Sequence, residues 1–128
     1  VFEAGDEVIS GLMGFAKEFK PQSAHFSAIG AFEEATQAYF DWRTRKYEDI
    51  PVEEQVEVLV LSGHITRKDT GEPNVHAHVV VGRCDGSTRG GHLKKAHVRP
   101  TLELVLVEYP QHLHRSFVPG MGLALIKL

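Results

Sequence analysis

Apolar positions recur at helical spacing near the start of the chain. Val8, Leu12, Phe15, Ala16 and Phe19 fall on one stripe, and Ile9 and Met13 widen it. Asp6 stands where a cap belongs and Pro21 where a stop belongs, so the spacing predicts a helix over about 7–19 with that stripe on a core. Beyond Pro21 the period falls to two. Residues 24–28 read as a strand, Gly30 as a bend, Glu33-Glu34 as a turn or short connector, and 35–42 as another strand. Residues 43–50 are charged and predict a hairpin tip with its returning strand. There Arg43, Arg45 and Lys46 suit a solvated edge that blocks further strand pairing. The clearest strand covers 54–65, with Val56, Val58 and Val60 on one face and Leu59 and Leu61 on the other. Glu57 lies among those leucines and must be paired or at an edge, because an unpaired buried carboxylate is costly. Residues 67–73 read as a turn. In 101–109, Leu102, Leu104 and Leu106 alternate with Glu103, Val105 and Val107; 110–122 reads as a loop, and 123–128 closes the sheet.

Short turns between most strands imply antiparallel pairing. The predicted fold class is α+β: a curved, largely antiparallel sheet of seven or eight strands with one main helix and short flanking helices. The length of 128 residues fits a single domain spanning 1–128.

Between these elements lies the stretch that carries chemistry. It holds His76, His78, His92 and His97, half of the eight histidines in the chain. His76 and His78 are two apart and project from one face of a strand, while Val75, Ala77, Val79 and Val81 line the other. Asp85-Gly86-Ser87 is a turn signal and leads to Gly90-Gly91-His92. A two-residue Asp85-Gly86 loop sets His92 opposite Val79, pointing into the apolar layer. A three-residue Asp85-Gly86-Ser87 loop pairs Cys84 with Thr88 and Val80 with His92, on the face of His76 and His78. A bulge at Gly90-Gly91 also shifts the register by one. An imidazole among valines is costly, which favours the register that gathers the three histidines.

Three converging imidazoles suit a divalent transition metal, zinc foremost, and leave a coordination position for water or a small-molecule ligand. The plainer reading is a half-buried polar cluster bonded to the backbone. His64, at a predicted strand end, is a possible fourth ligand or a surface histidine. His25 reads as partly buried and His97 as exposed. His112 and His114 share the same spacing but fall in the predicted loop.

Composition narrows the classes. Apolar content of 42% and charged content of 24% are those of an ordinary globular protein. No apolar run reaches membrane-spanning length. The opening residues lack the basic start of a signal peptide, and Cys84 is the sole cysteine, so a cytoplasmic location is expected. A formal charge of -3 argues against a nucleic-acid binder acting alone.

Several segments resemble the PPC ("plants and prokaryotes conserved") domain. These are Gly5-Asp6-Glu7, Ser27-Ala28-Ile29-Gly30, Glu57-Val58-Leu59 with Ser62-Gly63, Gly71-Glu72-Pro73, His76-Ala77-His78, Asp85-Gly86, Gly90-Gly91-His92-Leu93, Pro100-Thr101-Leu102-Glu103 and Arg115. The resemblance is most specific from His76 to Glu103 and closest to stand-alone bacterial members. It implies an antiparallel sheet with flanking helices, a homotrimer, and DNA binding by analogy with plant members that carry AT-hooks. This chain has no Arg-Gly-Arg-Pro core for the minor groove, which argues against DNA as a partner. If DNA is bound, Arg67, Lys68, Lys94 and Lys95 are the candidate basic face.

The His-x-His pair with a later His is also similar to the zinc site of bacterial acetolactate decarboxylase. That similarity implies Glu103 and Arg115 as candidate catalytic residues, a proton donor and a carboxylate anchor beside a metal-bound carbonyl. A salt bridge pinning the sheet or the trimer is their structural alternative. The leading expectation is a homotrimeric binding or regulatory module with a metal at His76, His78 and His92. The alternative is a metal-dependent enzyme acting on a small carbonyl or carboxylate substrate.

Overall fold

A computed structural model describes residues 1–109 and 113–127. Eight strands and one helix follow in the order β1 (Phe2–Glu3), α1 (Val8–Phe19), β2 (Ala24–Asp41), β3 (Lys46–Val52), β4 (Val56–Lys68), β5 (Pro73–Gly82), β6 (Thr88–Glu108), β7 (His114–Val118) and β8 (Leu123–Lys127). The sheet order is β3-β2-β6-β5-β4-β7-β8, with β1 on β6. A further pairing between β2 and β4 closes β2, β6, β5 and β4 into a ring. All pairings are antiparallel except β4 with β7. The short flanking helices expected from the sequence do not occur among the described residues.

The helix starts one residue later than its pattern suggests, and its cap is Glu7 rather than Asp6. The Glu7 carboxylate accepts hydrogen bonds from the backbone N–H groups of Ile9 and Ser10, and also from that of Ala96 on β6. One side chain therefore satisfies orphan donors of the helix start and ties the helix to the sheet. Burial pushes its pKa up, but the hydrogen bonds from Ser10, Ile9 and Ala96 prevail and hold it below the usual value. Asp6 instead accepts from the Glu3 backbone N–H. Val8, Leu12 and Ala16 reach the core, whereas Phe15 and Phe19 stay at the surface, stacked on each other at 4.7 Å.

Two strands are longer than their sequence suggests. Glu33-Glu34 is no turn: β2 runs through it, absorbing register shifts between Gly30 and Phe32, between Phe32 and Glu34, and between Thr36 and Gln37. Bulges let the strand bend without ending. β6 likewise runs unbroken across His97 and Arg99. The alternation in β4 is resolved by a bulge between Val58 and Val60. Val56 and Val58 face inward before it and Leu61 and Ile65 after it, so Leu59 and Val60 are left exposed. Glu57 is exposed, which removes its burial problem. The predicted loop 110–122 holds β7, while β8 lies where 123–128 was expected to close the sheet.

The core gathers inward residues of the ring strands with the helix stripe, including Phe26, Phe32, Leu61, Ile65, Val79, Val81, Val98 and Leu102. One close approach lies at Gly63 of β4, where it pairs with β5. A Cβ on Gly63 would stand 2.4 Å from a Phe26 ring carbon and 2.5 Å from the His76 carbonyl oxygen. Gly63→Ala should therefore destabilise the protein by about 1–3 kcal/mol through overpacking. Gly14→Ala, on the exposed side of α1 with open space around it, should stabilise by roughly 0.5–1 kcal/mol. Urea unfolding of both variants against wild type checks the pair; a neutral Gly63→Ala would contradict the packing described.

Candidate metal centre

The β5–β6 hairpin closes through Arg83 and Ser87. The Arg83 N–H donates to the Ser87 carbonyl at 2.8 Å and the Gly86 N–H to the Arg83 carbonyl at 2.9 Å. Cys84-Asp85-Gly86 is thus the three-residue loop, with Gly86 in the left-handed region at φ 81° and Asp85 Oδ1 accepting from the Ser87 N–H. The loop lies one residue earlier than the sequence suggests, and the parity is the same. His92 stands directly across from His78 rather than across from Val80, and the pairing runs evenly through Gly90 and Gly91.

That register brings the three histidines together on the outward face. Ring centroids are 5.1 Å apart for His76–His78, 5.0 Å for His76–His92 and 5.6 Å for His78–His92. One ring nitrogen from each lies within 4.8 Å of the others, and no other such group of three occurs among the described residues. Zinc–imidazole bonds of about 2.0–2.1 Å hold nitrogens roughly 3.4 Å apart, so the cluster is near coordination size. His92 Nδ1 is buried with no hydrogen-bond partner, a lone polar atom that a metal bond would satisfy. His78 is exposed and leaves the outer side of the cluster open.

Electrostatics favour the neutral, ligating form of His76 and His92. Burial, then the Arg115 cation, then the neighbouring histidines lower the His76 pKa to about 4. The His92 pKa is also lowered, by burial first and then by His78, Lys94 and Arg115. His64 pairs with His76 across β4 and β5, and its ring lies 5.6 Å from that of His25 at a tilt of 53°; it sits inside a strand, not at the end predicted for it. His97 is also within a strand, its Nδ1 3.0 Å from a Glu34 carboxylate oxygen. His112 lies outside the described residues.

Of the two further candidates, one joins the site. Arg115, at the start of β7, donates from Nη2 to His76 Nδ1 at 2.8 Å and from Nη1 to the Ala124 carbonyl at 2.9 Å. Glu103 does not. It faces outward much further along β6, beside Ile29, Leu59 and Val105, where no histidine of the cluster reaches. The supposed basic face is also broken up, since Arg67 donates to the Pro21 and Gly71 carbonyls and Lys94 pairs with Asp49 at 2.6 Å.

Sequence reasoning missed the wall of the site. Ala38 on β2 pairs with His92, and Phe40 pairs with Tyr47 on β3. The Tyr47 ring lies 4.9 Å from that of His92, and Phe40 lies 5.2 Å from Tyr47. The Phe40/Tyr47 pairing was available from the hairpin tip at 42–45, but its approach to His92 depends on the bends in β2. Together with Leu123 and Leu125 of β8, these aromatics line a cleft of about 600 Å³ over the histidines.

The family model described as the Plants and Prokaryotes Conserved (PCC) domain matches residues 1–110. A plant- and prokaryote-conserved protein from Pyrococcus horikoshii is 32% identical, with a TM-score of 0.91 over 100% of this chain and 87% of that one. A metal-containing protein from Archaeoglobus fulgidus is 33% identical, with a TM-score of 0.88 over 99% and 89%. A "putative DNA binding protein" from Bacteroides thetaiotaomicron is 31% identical, with a TM-score of 0.93 over 98% and 87%. The bifunctional protein GlmU of a Synechococcus strain is 33% identical over 107 residues, which cover 81% of this chain and 16% of that protein. With the family model matching most of its length, this chain belongs to the Plants and Prokaryotes Conserved domain family.

Proposed function

We propose that the protein is a trimeric binding module that holds one divalent transition metal, zinc by its ligand chemistry, on His76, His78 and His92. The observation that carries this reading is the approach of the three ring nitrogens to within 4.8 Å on an open face. Neutral nitrogen donors suit zinc, and three of them leave a position for an exogenous ligand. The metal-containing relative from Archaeoglobus fulgidus supports the same reading. Bound there, the metal would act as a Lewis acid toward a ligand oxygen. The chain's own contribution is to present three imidazoles, to place the Arg115 cation beside them, and to wall the cleft with Tyr47 and Phe40.

A second reading, catalysis on a small carbonyl or carboxylate substrate, is favoured by one observation, the Arg115 guanidinium against His76. Glu103 lies away from the histidine cluster of its own chain. DNA binding, suggested by the names of several relatives, would rest here on phosphate contacts alone. Such contacts need clustered Lys and Arg, and the net charge of -3 opposes them.

The trimer is supported by an apolar outer surface with no cover in one chain. Ile29, Leu59, Val60, Val105 and Val107 are each 47–68% exposed and lie on neighbouring outward positions of β2, β4 and β6. Val80, one outward position beyond His78, brings this surface to the edge of the histidine cluster. No helix of the described residues is long and apolar enough to cross a membrane, so burial against other copies is the fitting use of such a face. Sedimentation should give the mass of three chains at micromolar concentration, and Val105→Lys should shift it toward one. A stable wild-type monomer would contradict the trimer.

Substitution tests the metal. His78→Ala should abolish stoichiometric zinc retention in elemental analysis while changing metal-free stability by no more than about 0.5 kcal/mol, because His78 is exposed. A large fall in melting temperature for metal-free His78→Ala would return the cluster to a structural role.

The His76 pKa gives a pH dependence with a definite sign. The unfolded chain takes up that proton near the ordinary value of 6.5, and the folded chain only near 4. Between those values the unfolded state holds more protons, so metal-free stability should fall as pH drops from about 6.5 toward 4. Zinc affinity should fall as pH drops, because protonation of His76 competes with the metal. Urea unfolding at several pH values should show a flatter acid limb in His76→Gln. Identical limbs in the two proteins would remove His76 as the cause.

A further inference from the structure

The bond between Arg115 and His76 cannot coexist with a metal on His76. A guanidinium has only donors, so the His76 Nδ1 that faces Nη2 at 2.8 Å must present its lone pair. The neutral ring then carries its proton on Nε2. An imidazole ligating through Nε2 carries its proton on Nδ1, where it would meet the Arg115 N–H donor to donor. An imidazole ligating through Nδ1 has already committed that lone pair. On either route Arg115 must leave His76.

Two observations say what a released Arg115 would meet. Its Nε is buried with no hydrogen-bond partner among the described residues, so the side chain is under-satisfied even with the bond to His76 made. Among the described residues, none that lines the cleft above the histidines is an aspartate or glutamate. A divalent ion on three neutral imidazoles beside a guanidinium would therefore gather three positive charges with no carboxylate among the described lining residues to balance them. An anion from outside is the missing component. The walls decide its kind. Phe40, Leu123 and Leu125 give the cleft a largely apolar lining, which suits the carbon part of an organic acid better than a bare inorganic ion.

Resting on the three-histidine reading, we propose that the site is a metal-gated receptor for a small organic carboxylate. Arg115 is bonded to His76 in the metal-free protein. It becomes available when the histidines take a divalent ion, and it then pairs with the carboxylate of a ligand held in the cleft. Metal and carboxylate consequently bind with positive linkage, each raising the affinity for the other by the same factor.

Cobalt(II) is a suitable probe, because its visible spectrum reports both loading and a change of ligand. Cobalt(II)-loaded wild type should change spectrum with propionate and not with the neutral analogue propionamide. Saturating propionate should raise cobalt affinity in wild type. Without anion, Arg115→Gln should bind cobalt roughly fivefold more tightly than wild type, since the competing donor is gone. The same variant should bind propionate roughly 10–100-fold more weakly, the range expected for loss of a charge-assisted pair. Equal responses to propionate and propionamide would overturn the proposal, as would an unchanged or lower cobalt affinity in a folded Arg115→Gln. Inorganic phosphate binding more tightly than propionate would overturn the organic carboxylate. Failure of wild type to take up cobalt would overturn the three-histidine reading itself, whereas cobalt uptake with no anion response overturns this inference alone. If Arg115→Gln does not fold, as judged by circular dichroism, the propionate–propionamide comparison in wild type decides.

Discussion

The pairing of His78 with His92 across β5 and β6 is the constraint on which the site depends. A strand alternates faces with a period of two, so a slip of one residue would turn His92 from the outer face to the core. Two features on opposite sides of the hairpin resist that slip. Below, Ala77, Val79 and Val81 are buried against the ring core and cannot be exchanged for imidazoles without cost. At the tip, the Arg83–Ser87 closure around Cys84-Asp85-Gly86 sets the pairing before the histidines are reached. The site is therefore specified by the same apolar alternation that builds the core.

Much of the histidine geometry was legible because it is local. The spacing of His76 and His78 is a strand property, and the hairpin offered few registers. The error of one pair arose because Asp85-Gly86-Ser87 and Cys84-Asp85-Gly86 are both plausible three-residue loops, and they have the same parity. Features that depend on bulges were not legible. Glu33-Glu34 has the composition of a turn, yet β2 passes through it by shifting register against β6. That continuity carries β3, and with it Tyr47, to the side of His92. Phe15 and Phe19 fit the helix stripe but lie on its margin, where the sheet does not reach.

Glu103 and Arg115 show why a family resemblance places residues less well than it places folds. Both stand in matching segments. Only Arg115 is brought to the histidines, because β7 pairs with the end of β4 and turns its first residues toward β5. Glu103 belongs instead to the outer face of β6 among Ile29, Leu59 and Val105. That apolar face adjoins the cluster through Val80, so assembly and ligand binding would share a boundary.

The central claim is that His76, His78 and His92 together hold one metal ion. Anomalous X-ray scattering at the zinc edge, from crystals of zinc-loaded protein, tests it most directly. One strong peak per chain is expected about 2.0–2.1 Å from a ring nitrogen of each of the three histidines, with remaining coordination supplied by water or an exogenous anion. A peak elsewhere, such as between His25 and His64, or no peak at the cluster in stoichiometrically loaded crystals, would contradict it.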